Sequence, residues 1–398
     1  MASVQYREIE GRSGAYFALL AVLGALILAG LGAAWTMEHQ GHHVTGMSNR
    51  IVWGAPHVFA VFLIVAASGA LNVASIASVF GRELYKPLAR LSALLAITLL
   101  AGGLAVLVLD LGRADRMIVA MTHYNFKSIF AWNIFLYTGF FAVVALYLWT
   151  MIERRMHGYS KRVGVLAFLW RLVLTTGTGS IFGFLVAREP LHSALLAPLF
   201  IIMSFSFGLA IFLLVLMAAC RWTGRALGDV VLHRLGNLLG VFVAAVLYFV
   251  AVHHLTNLYV ARQYDVERFF LWEGGIYTVL FWFGQVLVGG ILPLALLFGS
   301  ASRRATAAAA ACVILGGLAQ MYVLIIGGQA YPQLMFPGKE VSSSFFDGVV
   351  AAYAPSLLEV ALGVGGVALA LALTVVALKV LPFLPRSLAD GELGGGTA

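Results

Sequence analysis

The sequence predicts an all-α integral membrane protein with about ten transmembrane helices. Three observations carry that prediction. Of 398 residues, 62% are hydrophobic and 11% charged, and the mean hydropathy is +0.96; soluble domains are about half apolar and about a quarter charged. The apolar residues fall into ten stretches, each long enough to cross roughly 30 Å of hydrocarbon at about 20 residues per helix. Lys and Arg divide unevenly between alternate connections, as expected of a multi-pass chain.

The elements follow in order. The first span, near 14–35, follows Arg7 and Arg12; its length and the lack of a small-x-small cleavage site favour a retained helix over a signal peptide. The loop after it holds Glu38 and "HQGHH" (39–43). The second span, near 51–80, carries His57 about one turn in, and the third, near 88–109, ends at Asp110. A polar connection, "LDLGRADRMIVAMTHYNFKS" (109–128), holds Arg113, His123, Tyr124 and Asn125. The fourth span, near 129–152, enters with Asn133 and Tyr137. The fifth, near 163–186, contains Arg171 and "TTGTGS" (175–180), which lacks the Gly-Lys-Ser/Thr ending of a phosphate loop and reads as small-residue helix packing. The sixth, near 192–220, opens at His192, and the seventh, near 235–260, closes at His253 and His254. The eighth, ninth and tenth lie near 272–299, 305–327 and 353–381. Arg171 and Glu359 read as intramembrane charges of the inner half, either paired, lining a proton path or reaching the interface.

Sixteen Lys and Arg accompany the termini and the odd-numbered loops; eight, Lys339 among them, lie on the other side. Both termini are therefore expected in the cytoplasm, and the 109–128 connection outside, on the periplasmic face of a bacterial inner membrane. The net charge of +8 is that of positive-inside loops and calls for no nucleic-acid partner. The two cysteines, Cys220 and Cys312, lie in different spans with no CxxC or CxxCH, which excludes a cysteine-ligated iron–sulfur cluster and a c-type haem within this chain.

Polar groups in a membrane are costly, so their coincidence at one depth points to a site. His57, Asp110 and Asn133 meet there with the loop residues His123, Tyr124 and Asn125, and Phe59, Phe62, Phe126 and Phe130 are expected to wall the pocket. Plainer roles stand beside each. Asp110 and Arg113 are spaced as a local ion pair, His57 as a packed interfacial histidine, and Asn133 as an interhelical hydrogen-bonding group. The "HQGHH" histidines would need further ligands to hold a metal, and no metal site is assigned.

"WGAPHVFAVFLIVAASGA" (53–70), "LDLGRADR" with "YNFKSIFAW" (124–132), "SALLAPLFIIMSFSFGLA" (193–210) and "YVLIIGGQ" (322–329) appear in an order that resembles the NrfD-like membrane subunits, which include the polysulfide reductase anchor. The resemblance covers roughly residues 51–330. It implies an eight-helix core of two four-helix bundles, preceded by an extra span and outer loop (1–50) and followed by an outer loop, an extra span and a cytoplasmic tail (331–398). The ten-span layout looks most like the DsrP-type subunits of the sulfite-reductase-associated complex of sulfur-metabolising bacteria.

The resemblance implies exchange of electrons between menaquinone or ubiquinone and a periplasmic ferredoxin-like iron–sulfur subunit (DsrO-like), beside a multihaem cytochrome c (DsrJ-like) and further DsrM- and DsrK-like subunits. His57 would bind and deprotonate the quinol head-group and Asp110 would relay the proton. Arg113 would keep Asp110 ionised, while Tyr124, Asn125 and Asn133 would orient the ring. Arg171 and Glu359 form a possible proton path. The loops at 36–50, 110–128 and 328–352 would form the partner's landing surface. At the family's next polar position, about a turn deeper than His57, this chain has Ala60, a departure from the family pattern. Two other classes compete with this reading. A haem-b cytochrome would need His57 to face His253 or His254, and no helix carries two histidines spaced for stacked haems. A proton-coupled transporter would use Arg171 and Glu359, but the paired broken helices common in transporters are not evident.

Overall fold

The computed structural model describes residues 5–333 and 348–393. Lys339 and the middle of the 328–352 connection lie outside the described residues. Among the described residues, ten helices are long and apolar enough to cross a membrane: α1 (Gly14–Gln40), α2 (Ala55–Ser78), α3 (Glu83–Leu109), α4 (Ile129–Ile152), α5 (Arg154–Gly183), α6 (Leu196–Thr223), α7 (Asp229–Tyr259), α8 (Ile276–Gly299), α9 (Arg303–Ala330) and α10 (Leu357–Val380). With ten crossings, both ends of the chain return to one side. A two-residue antiparallel pairing of β1 (Tyr6–Arg7) with β2 (Leu384–Pro385) ties them together there. That side is called the terminal end, and the other the Asp110 end.

Helices α2 to α5 pack as one group and α6 to α9 as a second, with the seam formed by α2 against α6. Lipid gives helices little hydrophobic reason to associate, so small residues that allow close backbone approach set the seam. A Cβ on Gly69 would overlap the Ser204 carbonyl, and one on Gly208 would overlap the backbone of Gly69 and Ala70. Helix α1 packs on α10, which packs in turn on α3 and α2.

Helix α2 is interrupted near Leu71, and the cause is a side chain of α3. The Ser92 hydroxyl donates to the Ala70 carbonyl at 2.6 Å and accepts from the Ala74 N–H at 3.0 Å, replacing a backbone rung of the helix. Beside this break, the Arg171 guanidinium donates to Asn72 Oδ1 and, at 3.2 Å, to the Ser68 carbonyl, between the rings of Phe168 and Phe205. Arg171 is 3% exposed, and its Nε has no partner among the described residues. It lies twelve residues before the end of α5, about 18 Å from the Asp110 end at 1.5 Å per residue.

Glu359 sits elsewhere. Helix α10 starts at the Asp110 end, so a residue in its first turn lies there and not on the inner half with Arg171. The two charges are therefore not a pair, and the expectation that placed them at one depth is corrected.

Candidate functional site

Three titratable side chains from three elements converge at the Asp110 end. Asp110 caps the C-terminus of α3, where its N–H still closes onto the Val106 carbonyl. His57 stands in the first turn of α2, opened by Gly54 and Pro56. His42 comes from the turn after α1. His57 Nδ1 lies 2.8 Å from Asp110 Oδ2, and His42 Nε2 lies 3.7 Å from Oδ1 and 3.2 Å from the Asp110 carbonyl. The His57 contact is close but off-axis: His57 Nδ1 and both carboxylate oxygens are buried with no aligned hydrogen-bond partner among the described residues. Gly112 completes the corner. Its φ of +68° is one that L side chains rarely adopt, and a Cβ there would press within 2.9 Å of the His42 ring.

The Asp110 side chain is 1% exposed, that of His57 15% and that of His42 32%, so the group grades from buried to open. Burial alone would raise the Asp110 carboxyl, but the His42 and His57 rings close beside it outweigh burial and hold the group below the ordinary carboxylate value. The same contact with Asp110 raises His42 above 6.5, against the opposing effect of burial.

The frame around His57 comes from distant parts of the chain. The Gln329 side-chain oxygen accepts from the N–H groups of Val52 (2.9 Å) and Trp53 (3.1 Å), while its amide donates to the carbonyls of Trp53 (3.0 Å) and Ile325 (2.8 Å). So fixed, the Trp53 ring lies 6.0 Å from His57 and 24° from parallel, with Phe182 edge-on at 5.7 Å and Phe130 at 6.2 Å. The Tyr353 hydroxyl accepts from the Ala55 N–H at 2.6 Å and donates to Glu359 Oε1 at 2.6 Å. Glu359 Oε2 accepts from the N–H groups of Gly46 (2.9 Å) and Ser356 (2.7 Å). Burial and the bond to Glu359 push the Tyr353 phenol well above its usual range, so it remains a neutral donor.

Other expected residues are placed differently. Arg113 does not reach Asp110; it pairs bidentately with Asp115 at 3.0 Å on the exposed surface. Tyr124 stacks on Phe135 at 4.2 Å, and Asn125 caps its own turn by accepting from the Lys127 N–H. Neither contacts His57 or Asp110. Asn133 is buried and bridges α4 to α5, donating to the carbonyls of Ile129 and Gly177, with its Oδ1 unpartnered among the described residues. Of the expected aromatic walls, Phe130 reaches the niche through Trp53. Phe62 lies in the α2–α6 seam against Phe207, Phe59 packs on Gly363, and Phe126 is 64% exposed. His253 and His254 are engaged by Ser193 and Glu267. The "HQGHH" histidines diverge, His39 onto the Trp35 carbonyl and His42 onto Asp110.

A far larger cavity, about 890 Å³, lies at the terminal end between α1, α6 and α10. Its size does not make it the better candidate. Arg225 on its rim is spent on the carbonyls of Arg7, Glu8, Leu384 and Pro385, and Arg7 faces Glu10.

Residues 43–333, which include His57, Asp110 and Gln329, match the family model described as polysulphide reductase, NrfD. The chain belongs to the NrfD family. A relative from Archaeoglobus fulgidus, named Hdr-like menaquinol oxidoreductase integral membrane subunit, is 30% identical over 96% of this chain and 98% of its own length. A putative membrane subunit of dimethyl sulfoxide reductase from Halobacterium salinarum is 29% identical over 93% of this chain and 92% of its own. A selenate reductase subunit from Mesobacillus selenatarsenatis is 22% identical over 91% and 93%.

Proposed function

We propose that this NrfD-family protein is the quinone-interacting membrane subunit of a redox complex, with the quinol head-group bound at His57 and Asp110. One observation carries the proposal: a buried carboxylate without an aligned donor lies 2.8 Å from His57 Nδ1, which is itself buried without an aligned partner among the described residues. A head-group with a hydroxyl or carbonyl oxygen and a flat ring suits the His57 imidazole and the adjacent Trp53 and Phe130. The relatives' names support the class, since one is named for menaquinol and all three for oxidoreductases or reductases.

A quinol supplies two electrons and two protons on oxidation. With Nδ1 turned to Asp110, a neutral His57 accepts a proton at Nε2, and the resulting cation lies against the carboxylate. Asp110, kept anionic by its two histidines, offsets that charge. His42, the most exposed of the three, is placed to pass the proton to the aqueous side. In the opposite direction of electron flow the same groups deliver protons. The positive-inside count puts the Asp110 end outside, so a periplasmic iron–sulfur partner would dock on the 36–50 and 110–128 loops. A role in sulfur metabolism, in a DsrP-type complex with cytochrome c and further membrane subunits, rests on the sequence resemblance.

The test is quinol oxidation by the reconstituted complex with His57→Ala and Asp110→Asn. A positioned acid–base group contributes about 10²–10⁴-fold, so each variant should lose at least about 10²-fold while retaining its helical content. Unchanged oxidation together with unchanged quinone binding would eliminate the assignment.

A further inference from the structure

The large cavity at the terminal end is not used by the quinone site. Helix α1 is held by α10 and α6 by α2, and the cavity of about 890 Å³ is the space left between α1, α6 and the last turns of α10. Its inner wall is apolar, formed by Leu19, Leu23, Val215, Ala218, Leu371 and Val375. Leu23 lies nine residues inside the start of α1, Val215 eight inside the end of α6 and Leu371 nine inside the end of α10. At 1.5 Å per residue, all three place the floor about 12–14 Å below the helix ends. Half of a hydrocarbon core of roughly 30 Å is about 15 Å, so the cavity is about as deep as one leaflet.

The mouth is cationic. Arg7, Arg12, Arg225 and Arg386 line it, against Glu8 and Glu10. Arg12 is exposed, and its side chain forms no hydrogen bond or ion pair among the described residues. The bonds of Arg225 go to neutral carbonyls and that of Arg386 to Gln5, so neither charge is cancelled. Arg7 is matched by Glu10 at 3.7 Å, with both side chains more than half exposed. Lys379 adds a further charge, its Nζ 5.1 Å from the ring of Tyr16, which lines the cavity. The first turn of α1 holds no acidic residue, so its free N–H groups add partial positive charge at the same level. Trp222, on the rim and 53% exposed, is the amphipathic ring favoured at headgroup depth.

A cationic rim above an apolar slot one leaflet deep matches a molecule with an anionic head and a hydrocarbon tail. We infer that this cavity binds an anionic phospholipid, with its phosphate among Arg7, Arg12 and Arg386 and an acyl chain between α1, α6 and α10. A neutral quinone in the same space would leave the arginines without a counter-charge. The positive-inside count puts the terminal end in the cytoplasm, beside the leaflet whose anionic lipids attract basic segments. The lipid bridges α1 to α6, two helices that are otherwise held by different neighbours.

The test is native mass spectrometry of the full chain in detergent, titrated with phosphatidylglycerol or with phosphatidylcholine of the same acyl chains. One phosphatidylglycerol should bind per chain, more tightly than phosphatidylcholine. An arginine near anionic lipid contributes about 1 kcal/mol, so Arg12→Gln should weaken phosphatidylglycerol about fivefold and leave phosphatidylcholine unchanged. Ala218→Phe fills the slot from an exposed position of α6 and should abolish the tight site with every arginine still present. Should that variant fail to fold, Leu371→Phe fills the slot from α10. Excess inorganic phosphate should not displace the lipid. Equal binding of the two lipids, or unchanged affinity in Arg12→Gln, would overturn the inference by removing its charge selection. An undiminished site in the slot-filled variant would place the lipid elsewhere, and displacement by phosphate would reduce the mouth to a bare anion site; either result also overturns it. None of these measurements involves quinol, so their failure leaves the reading of His57 and Asp110 untouched.

Discussion

Replacing Gln329 with Leu removes four hydrogen bonds in one step while keeping a side chain of similar size in a site only 3% exposed. The N–H groups of Val52 and Trp53 and the Trp53 carbonyl then lose their partner. An unsatisfied buried polar group costs about 1–3 kcal/mol; at the low end, three such groups cost about 3 kcal/mol, or about two orders of magnitude in the folding equilibrium. Gln329→Glu, which still accepts from both N–H groups but donates nothing when ionised, should cost less than Gln329→Leu. Unfolding measured by steric trapping in bicelles gives the free energies, and quinol titration gives the functional effect. Trp53 stacks on His57, so the expected result is a raised KM for quinol that tracks the loss of stability. A Gln329→Leu protein with wild-type stability and wild-type KM would show that Gln329 does not hold the α2 entrance, and the account of how His57 is positioned would fall with it.

His42 gives a pH signature. Its folded pKa is raised above 6.5, so its contribution to stability is fully present below about 6.5 and is lost as pH rises through the raised value. Asp110 is lowered from 3.8, so its own contribution is lost only as pH falls through that lower value. The stability advantage of wild type over His42→Gln should therefore peak in mildly acidic buffer and shrink on the alkaline side; an advantage independent of pH would refute the pairing. Arg113→Ala should leave quinol oxidation within about twofold of wild type, since an exposed pair contributes little and Arg113 faces Asp115. A loss comparable to that of Asp110→Asn would restore Arg113 to the site.

Much of this is legible in the sequence because it is local. Apolar run length is a property of consecutive residues, so ten helices can be located to within a few positions. His57 and Asp110 can be placed together because each stands at a span end facing the same way. Partners that come from afar are not legible. Gln329 lies 276 positions from Trp53, and no local period links a glutamine at the end of α9 to the backbone before α2. His42 stands among loop histidines whose spacing suggests metal chemistry, and only the fold shows it turned to Asp110. Helical spacing pairs Arg113 with Asp110, but the helix ends at Leu109 and the chain turns at Gly112, where φ is positive, leaving Arg113 to pair with Asp115. Glu359 looks like an inner-half charge only if the direction of the last span is ignored, since that span begins at the Asp110 end.

The last helix belongs physically to the site. If α10 were a peripheral addition, the surface beneath it would be that of a lipid-facing helix, with bulky side chains. Instead a Cβ on Gly102 of α3 would overlap the Gly366 carbonyl, and one on Gly363 would overlap the Phe59 ring, so both partners are shaped for contact. The first turn of α10 supplies Glu359, whose carboxylate collects an O–H from Tyr353 and N–H groups from Gly46 and Ser356. Tyr353 in turn accepts the Ala55 N–H, one of the donors that the start of α2 cannot satisfy within the helix. A negative charge near a helix N-terminus is favoured by the helix dipole, which helps explain how a carboxylate with no basic partner among the described residues stays fully buried there. His57 is two residues beyond Ala55. The position of the imidazole is therefore set from two sides, by Gln329 through Trp53 and by Glu359 through Tyr353, and both groups come from helices remote in sequence from the one they fix.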